Sequence, residues 1–483
     1  MTVTETTSRP EISTAPDALP LTITAAAAAL RAGTLTSVEL TRAVLARADK
    51  LDGKLGTYLT RMDATALEAA ATADAELAAG TDKGVLHGIP LGVKDIIATD
   101  GAGTTAQSLI MDPAFGEMGD APVVARLRSA GGVLVGKATT MEYAIGEPDP
   151  SKGFPTPRNP FDPAYWTGGS SSGTGNGVAA GLFLGGLGTD TGGSVRLPAA
   201  WCGISGLKQT FGRVPKYGCV PLGYTYDHIG PMTRSARDCA HLLAVLAGHD
   251  DRDATSVDVP VDDYVGALTG DLSGLRIGVD LSMLDLPVTD PDLAALARAA
   301  VRVLADAGAT LVEVTLPYYA ELTTATMSGF LAEAFMYHRG DMRERWTDYG
   351  KPTRKAVGQG ALVTGADYAQ IQRVRRVGVR AMAELMTEVD LIVNPATLVF
   401  APRLDGMNFF ENEVGAICTP YWNALGLPAI SIPMGSSPIG LPAGLQLAGR
   451  PFDEATVLRA ADAFQLRTTH HLTESEFVKE TLA

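Results

Sequence analysis

The sequence is short of several things, and each shortage excludes something. Its 483 residues hold four cysteines (Cys202, Cys219, Cys239, Cys418), with no C-x-x-C pair and no dense spacing. That leaves no disulfide framework and no thiolate metal site, and it fits reduced thiols in a cytoplasmic protein. Long hydrophobic runs are missing. The longest, such as Ala25 to Leu30 and Val178 to Leu187, are rich in Ala and Gly and too short to span a bilayer. The seven histidines (His87, His228, His241, His249, His338, His470, His471) contain no H-E-x-x-H and no His-x-His group. No metal site and no cofactor is therefore expected, and the His470-His471 pair near the polar C-terminus is expected to be exposed. Basic residues are outnumbered, 39 Lys and Arg against 54 Asp and Glu, giving a net charge of −15. Nucleic acid and anionic membrane are poor partners for such a surface. Finally, there is no internal repeat and no Gly/Ser linker. One large domain is expected over residues 21–475, preceded by a polar, Thr- and Pro-rich mobile arm (1–20) that is neither signal peptide nor anchor, and followed by a C-terminal tail (476–483).

What the chain does have is an unusual stretch from Gly168 to Ser194. Gly168-Gly169-Ser170-Ser171-Ser172-Gly173 is followed by a run of small residues and then by Gly188-Thr189-Asp190-Thr191-Gly192-Gly193-Ser194-Val195-Arg196. It has too few large side chains to be bulk core, so it reads as backbone brought close to something else. Glycines leave backbone N–H groups unshielded. The successive amides of Thr191, Gly192, Gly193 and Ser194 are suited to converge on a developing oxyanion, with Ser194 placed to attack the carbonyl. A surface Gly/Ser loop would look the same. A hydroxyl also needs a base. Upstream, His87-Gly88-Ile89-Pro90-Leu91-Gly92-Val93-Lys94-Asp95-Ile96-Ile97 reads as a short buried strand with Lys94 among apolar residues. Its stem could simply snorkel to water. If it is buried instead, the ammonium is disfavoured and neutral Lys94 becomes a proton acceptor.

Two rival motifs fall on context. Gly169-Ser170-Ser171-Ser172-Gly173 satisfies G-x-S-x-G, and Gly175-Asn176-Gly177 mimics part of a dinucleotide fingerprint. Both motifs need a preceding strand, and the lead-in from Pro148 to Pro163 holds six prolines and no strand pattern.

Gly-Val-Lys94-Asp, Gly-Gly-Ser170-Ser-Ser-Gly and Gly-Thr-Asp-Thr-Gly-Gly-Ser194-Val-Arg, in that order, resemble the amidase signature family of serine hydrolases. The similarity continues through Leu197–Lys208, Asp227–Ser235 and Leu441–Pro451. The resemblance implies an α/β fold with a central mixed sheet flanked on both sides by helices. It also implies a Ser–Ser–Lys triad: Ser194 as nucleophile, Ser170 as bridging serine held by a cis peptide bond, and Lys94 as base. The amides of Thr191, Gly192 and Gly193, with that of Ser194, would form the oxyanion hole. The loop Ala138–Tyr143 and the segment 408–423 would flank the reaction centre, which puts forward Met141, Gly169 and Tyr421 as substrate contacts. For Phe410, Tyr421 and Trp422, core packing is an equal reading. Glu142 reads either as a partner behind the site or as an exposed carboxylate.

The activity this implies is hydrolysis of a C–N acyl bond other than a peptide bond. The substrate would be a small-molecule amide or, with the same planar group, a carbamate, which would make the chain a urethanase. The alternative is a role within a complex. Relatives of the family serve as the glutamine-hydrolysing subunit of a tRNA-dependent amidotransferase, although Leu91–Ile96 and Thr139–Glu142 depart from the pattern expected there. The sequence does not set the oligomeric state, for which a symmetric homodimer is the commonest outcome.

The remaining pattern is that of an α/β protein. Thr36-Ser37-Val38-Glu39 looks like a capping box opening a helix to about Leu51. Helices are also expected at Thr24–Ala32, Thr65–Ala79, from Pro122 to about Ala130, Ser235–Ala247, 320–349 and 367–388, the last with Arg373, Arg375, Arg376 and Arg380 on a solvated face. Leu275–Val279, Asp290–Ala307 and Thr310–Leu316 form a β-α-β pattern.

Overall fold

Every strand near the middle of the chain is buried along its whole length, which explains why the sequence shows apolar and small runs rather than alternation there. In a computed structural model of the chain, residues 19–412 and 414–483 are described; the arm expected at 1–20 lies almost wholly outside them. The strands are β1 (Tyr58–Arg61), β2 (Pro90–Lys94), β3 (Val133–Ala138), β4 (Gly185–Asp190), β5 (Ser205–Lys208), β6 (His228–Thr233), β7 (Arg276–Val279), β8 (Thr310–Glu313), β9 (Leu391–Pro395), β10 (Ala429–Ser436) and β11 (Pro442–Gly449). They form one mixed 11-stranded sheet in the order β1-β3-β2-β4-β6-β5-β10-β11-β9-β7-β8, flanked by helices. β3, β2 and β4 are parallel neighbours, as are β9, β7 and β8; the strands from β4 through β6, β5, β10 and β11 to β9 pair antiparallel.

Local signals account for most helix starts. Thr36 and Glu39 make the capping box, the Thr36 amide donating to the Glu39 carboxylate at 2.8 Å and the Glu39 amide to Thr36 Oγ1 at 3.1 Å. The β-α-β pattern is present as β7, the helix Pro291–Asp306 and parallel β8. Three expectations need correction. The helix expected over 320–349 ends at Glu344, and a second one, Lys351–Gln359, starts with Pro352 in its first turn, where a missing N–H costs nothing. The residues expected to form a tail, 476–483, form instead the helix Glu476–Leu482, capped by Ser475, with Val478 buried in a core cluster that Phe477 and Leu482 also touch. Arg375 is not merely solvated: its guanidinium lies 4.2 Å from the Tyr226 ring centroid and donates to the Ala424 carbonyl at 2.9 Å.

The first described helix, Ile23–Arg31, is fastened by a distant carboxylate. Buried Asp238 accepts from the amides of Ile23 (3.0 Å) and Thr24 (2.9 Å) and from Thr24 Oγ1 (2.6 Å). Burial pushes its pKa up, but these donors favour the charged form. Asp238→Ala leaves buried donors without acceptors and is expected to cost about 2–4 kcal/mol, read as a lowered urea midpoint at unchanged slope; a change below about 0.5 kcal/mol would refute this fastening.

Candidate active site

β2 and β4 run side by side in parallel, with Leu91 to Val93 opposite Gly185 to Leu187. They therefore deliver Lys94 and Thr189 to the same end of the sheet. There the fully buried Lys94 ammonium nitrogen meets Ser170 Oγ at 2.7 Å, Thr189 Oγ1 at 2.7 Å and Ser171 Oγ at 3.1 Å. The Gly169–Ser170 peptide is cis. Ser171 ties this turn to the next one: its amide donates to the Ser194 carbonyl at 3.2 Å, and its hydroxyl donates to the Thr189 carbonyl at 3.1 Å. Ser170 and Ser194 line one cleft, with Ser194 half-buried and so within reach of a ligand. Among the described residues no hydrogen bond joins the two hydroxyls directly, a looseness common in ligand-free sites.

Burial lowers the pKa of Lys94 to about 7, against the pull of Asp227 and Asp190. The snorkelling alternative is thereby excluded. The reason is geometric: the side chain leaves the last residue of a strand covered on both faces, and only hydroxyls meet it.

The turn after β4 is held by an ion pair that the sequence reading passed over. Arg196 grips Asp190 with Nε to Oδ2 and Nη2 to Oδ1, both at 2.9 Å, and neither side chain is exposed. Burial would raise the Asp190 pKa, but Arg196, helped by Asn423 at 2.8 Å, outweighs it and holds the carboxyl well below the usual range. The remaining guanidinium donors go to the Thr419 carbonyl (2.9 Å), Gln446 Oε1 (2.7 Å) and Asn423 Oδ1 (2.6 Å). Opposite charges bracketing an otherwise uncharged Gly-rich run were the available signal.

The Gly193 amide donates to Asp190 Oδ1 at 2.8 Å and is thus engaged. Among the described residues no acceptor is found for the amides of Thr191, Gly192 and Ser194. Gly193 matters sterically instead: its φ is +129°, and a Cβ there would lie 1.9 Å from Thr419 Oγ1.

The walls of the cleft are apolar. Met141, Ala144, Ile145, Trp166 and Leu197 line it together with Leu222, Met327, Phe330, Phe409, Phe410 and Ile417, and Gly169 also lines it. Met141, Gly169 and Phe410 thus lie where a substrate contact would, but Tyr421 does not. It is fully buried, its hydroxyl donates to the Pro317 carbonyl at 2.9 Å, and its ring stacks on Tyr319; Trp422 is likewise core. Glu142 is buried rather than exposed, accepting from Ser108 Oγ at 2.6 Å and the Gly350 amide at 2.7 Å, so it anchors the loop that carries Met141. Among the described residues no histidine lines the cleft, and His471, expected to be exposed, is buried. Nor, among them, is any group of three or more His, Cys, Asp or Glu placed to hold a metal ion.

A lysine with a folded pKa near 7 and an ordinary unfolded one has released its proton in the folded chain while the unfolded chain still holds it. Raising the pH from 7 to 10 therefore favours folding, by at most about 1.4 kcal/mol per pH unit. Urea melts across that range are expected to show wild type gaining stability relative to Lys94→Met; parallel pH dependences would contradict a neutral Lys94.

Comparison with known proteins bears on this geometry. A family model described as Amidase matches residues 39–458. A glutamyl-tRNA(Gln) amidotransferase subunit of Chloroflexus aurantiacus is 42% identical over 479 residues, 93% of this chain and 97% of that protein. A putative amidase, AmiD, of Mycobacterium tuberculosis is 39% identical over 460 residues, 93% of this chain and 95% of that protein. The crystal structure of the peptide amidase of Stenotrophomonas maltophilia superposes with a TM-score of 0.80 at 30% identity, over 93% of this chain and 98% of that one. With the family model spanning most of its length and these relatives matching it nearly end to end, the chain belongs to the amidase signature family of enzymes that act on C–N bonds.

Proposed function

We propose that the chain hydrolyses the C–N acyl bond of an uncharged amide, or of a carbamate, through a covalent acyl-Ser194. The observation that carries this reading is the buried, hydroxyl-bound Lys94, whose pKa is lowered to about 7 by burial. Neutral Lys94 takes the Ser194 proton by way of Ser170 as Ser194 Oγ bonds to the acyl carbon. The amides of Thr191, Gly192 and Ser194 receive the oxyanion. The proton returns through Ser170 to the departing nitrogen. Water then attacks the acyl carbon, giving up its proton to Lys94; the acyl–Oγ bond breaks, the proton passes back through Ser170 to Ser194 Oγ, and the acid leaves. Four free thiols suit a cytoplasmic setting.

The names of the relatives favour a second reading more than the first: that this chain, like the Chloroflexus aurantiacus protein, is one component of a glutamyl-tRNA(Gln) amidotransferase. The 42% identity outweighs the two local departures noted in the sequence. In that reading the substrate is glutamine and partner chains complete the enzyme. The cleft argues the other way. Glutamine brings an ammonium and a carboxylate, which are costly to bury unpaired, and among the described residues no charged side chain lines the cleft.

The deciding experiment compares an anilide, a carbamate sharing its amine, and glutamine. Turnover of the anilide or carbamate by the isolated chain, lost at least about a thousandfold in Ser194→Ala with its fold intact, is expected. Glutamine turnover, or activity that appears only with partner chains, establishes the amidotransferase reading instead. Because the base must be deprotonated, kcat/KM is expected to rise as pH is raised through about 7 and then level off; a profile flat from pH 5 to 9 would remove Lys94 from the role.

A further inference from the structure

The cleft at Ser194 has a neighbour of opposite character. A second cavity shares Phe410 with it as a common wall and is otherwise lined by Glu147, Lys351, Lys355, Gln359 and Asn408, together with apolar neighbours. One loop serves both: Met141, Ala144, Ile145 and Gly146 face the cleft, and the next residue, Glu147, faces the second cavity. The same holds across the divide, where Phe409 and Phe410 line the cleft while Met407, Asn408 and Phe410 line its neighbour. The second cavity therefore adjoins the first, with Phe410 as the wall between them.

Its chemistry is that of a hydrogen-bonding chamber. Glu147 is partly buried; its carboxylate accepts from the Phe410 amide at 3.4 Å, and burial raises its pKa against the opposing pull of the Phe410 and Phe409 amides. A carboxylate can accept from further donors, and Glu147 lines the cavity. Lys355 is paired with Glu411 at 2.9 Å, and Lys351, which is exposed to solvent, also lines the cavity. A cationic ligand would meet those lysines and an anionic one Glu147. A neutral group that both donates and accepts satisfies both sides, and a planar amide does this with its N–H and its C=O.

We propose that this chamber is a second subsite for an extended substrate, binding a second neutral amide-like group (amide, urea or carbamate) that lies beyond the scissile C–N bond, with its N–H donated to Glu147 and its carbonyl accepting from Lys351. The proposal rests on the reading that Ser194 cleaves the C–N bond in the adjoining cleft. It makes Glu147 a specificity-determining residue and Phe410 the partition between an apolar and a polar half of the substrate.

The test uses anilides with one acyl group and two kinds of para substituent, acetamido or isobutyl, matched in size, with the substituent attached directly or through one or two methylenes. Wild type is expected to favour an acetamido member by about tenfold or more in kcat/KM, and Glu147→Ala to abolish that preference, whereas Glu147→Gln, which keeps an acceptor, retains part of it. Binding is measured separately by calorimetry on Ser194→Ala with the product amines, the acetamido amine being expected to bind more tightly until Glu147→Ala is added. No preference for any spacer overturns the subsite. So does a Glu147→Ala loss equal for both substituents, which would mean that Glu147 acts only by holding Phe410. If no anilide turns over but the calorimetric preference stands and depends on Glu147, the subsite survives and the proposed reaction fails.

Discussion

The buried pair of Asp190 and Arg196 is the constraint on which the site depends. An arginine with no exposure must have its donors matched, and here they reach a carboxylate, a carbonyl and two side-chain amide oxygens. Removing one partner of such a pair leaves an uncompensated charge, which is far costlier than never having buried it. The pair fixes both ends of the turn that carries Ser194. Through the Gly193 amide it also sets which backbone N–H groups remain free to meet an anion.

Two lysines close together in the same part of the fold, both with pKa lowered by burial, differ in the partner that opposes it. Lys137, at β3, is as deeply buried as Lys94 but lies 3.1 Å from the Asp95 carboxylate. Lys94 has hydroxyls only. Hydroxyls can accept from an ammonium or donate to a neutral amine, so they stabilise both forms and leave burial to set the balance. A carboxylate in place of Ser170 or Thr189 would hold the proton on Lys94.

Much of this was legible in the sequence, for physical reasons. A lysine at the end of an apolar run, or a Gly-Ser cluster, reads equally well as a snorkelling stem or a surface loop when taken alone; it was the order of the three motifs, through a family resemblance, that marked the site, whereas the capping box at Thr36 is a purely local signal. What escaped depended on distance. Whether Gly193 offers its amide depends on where Asp190 points. Tyr421 and Phe410 are both aromatic and only eleven positions apart, yet only the folded contacts separate a core ring from a cleft wall. The closing helix at Glu476–Leu482 was missed because seven residues carry little periodicity, and its stability comes from packing on the earlier helix Ser37–Leu55, where Lys50 donates to the Leu482 carbonyl.

The spacing of Arg196 from its partners has a consequence for how the protein is made. Thr419, Asn423 and Gln446 lie 223, 227 and 250 positions downstream. A chain emerging from the ribosome presents Lys94, Ser170, Ser194 and the Asp190–Arg196 pair long before these last acceptors exist. Until then part of the guanidinium has only water to turn to. The turn around Ser194 can therefore reach its full set of hydrogen bonds only after the chain has been made as far as Gln446.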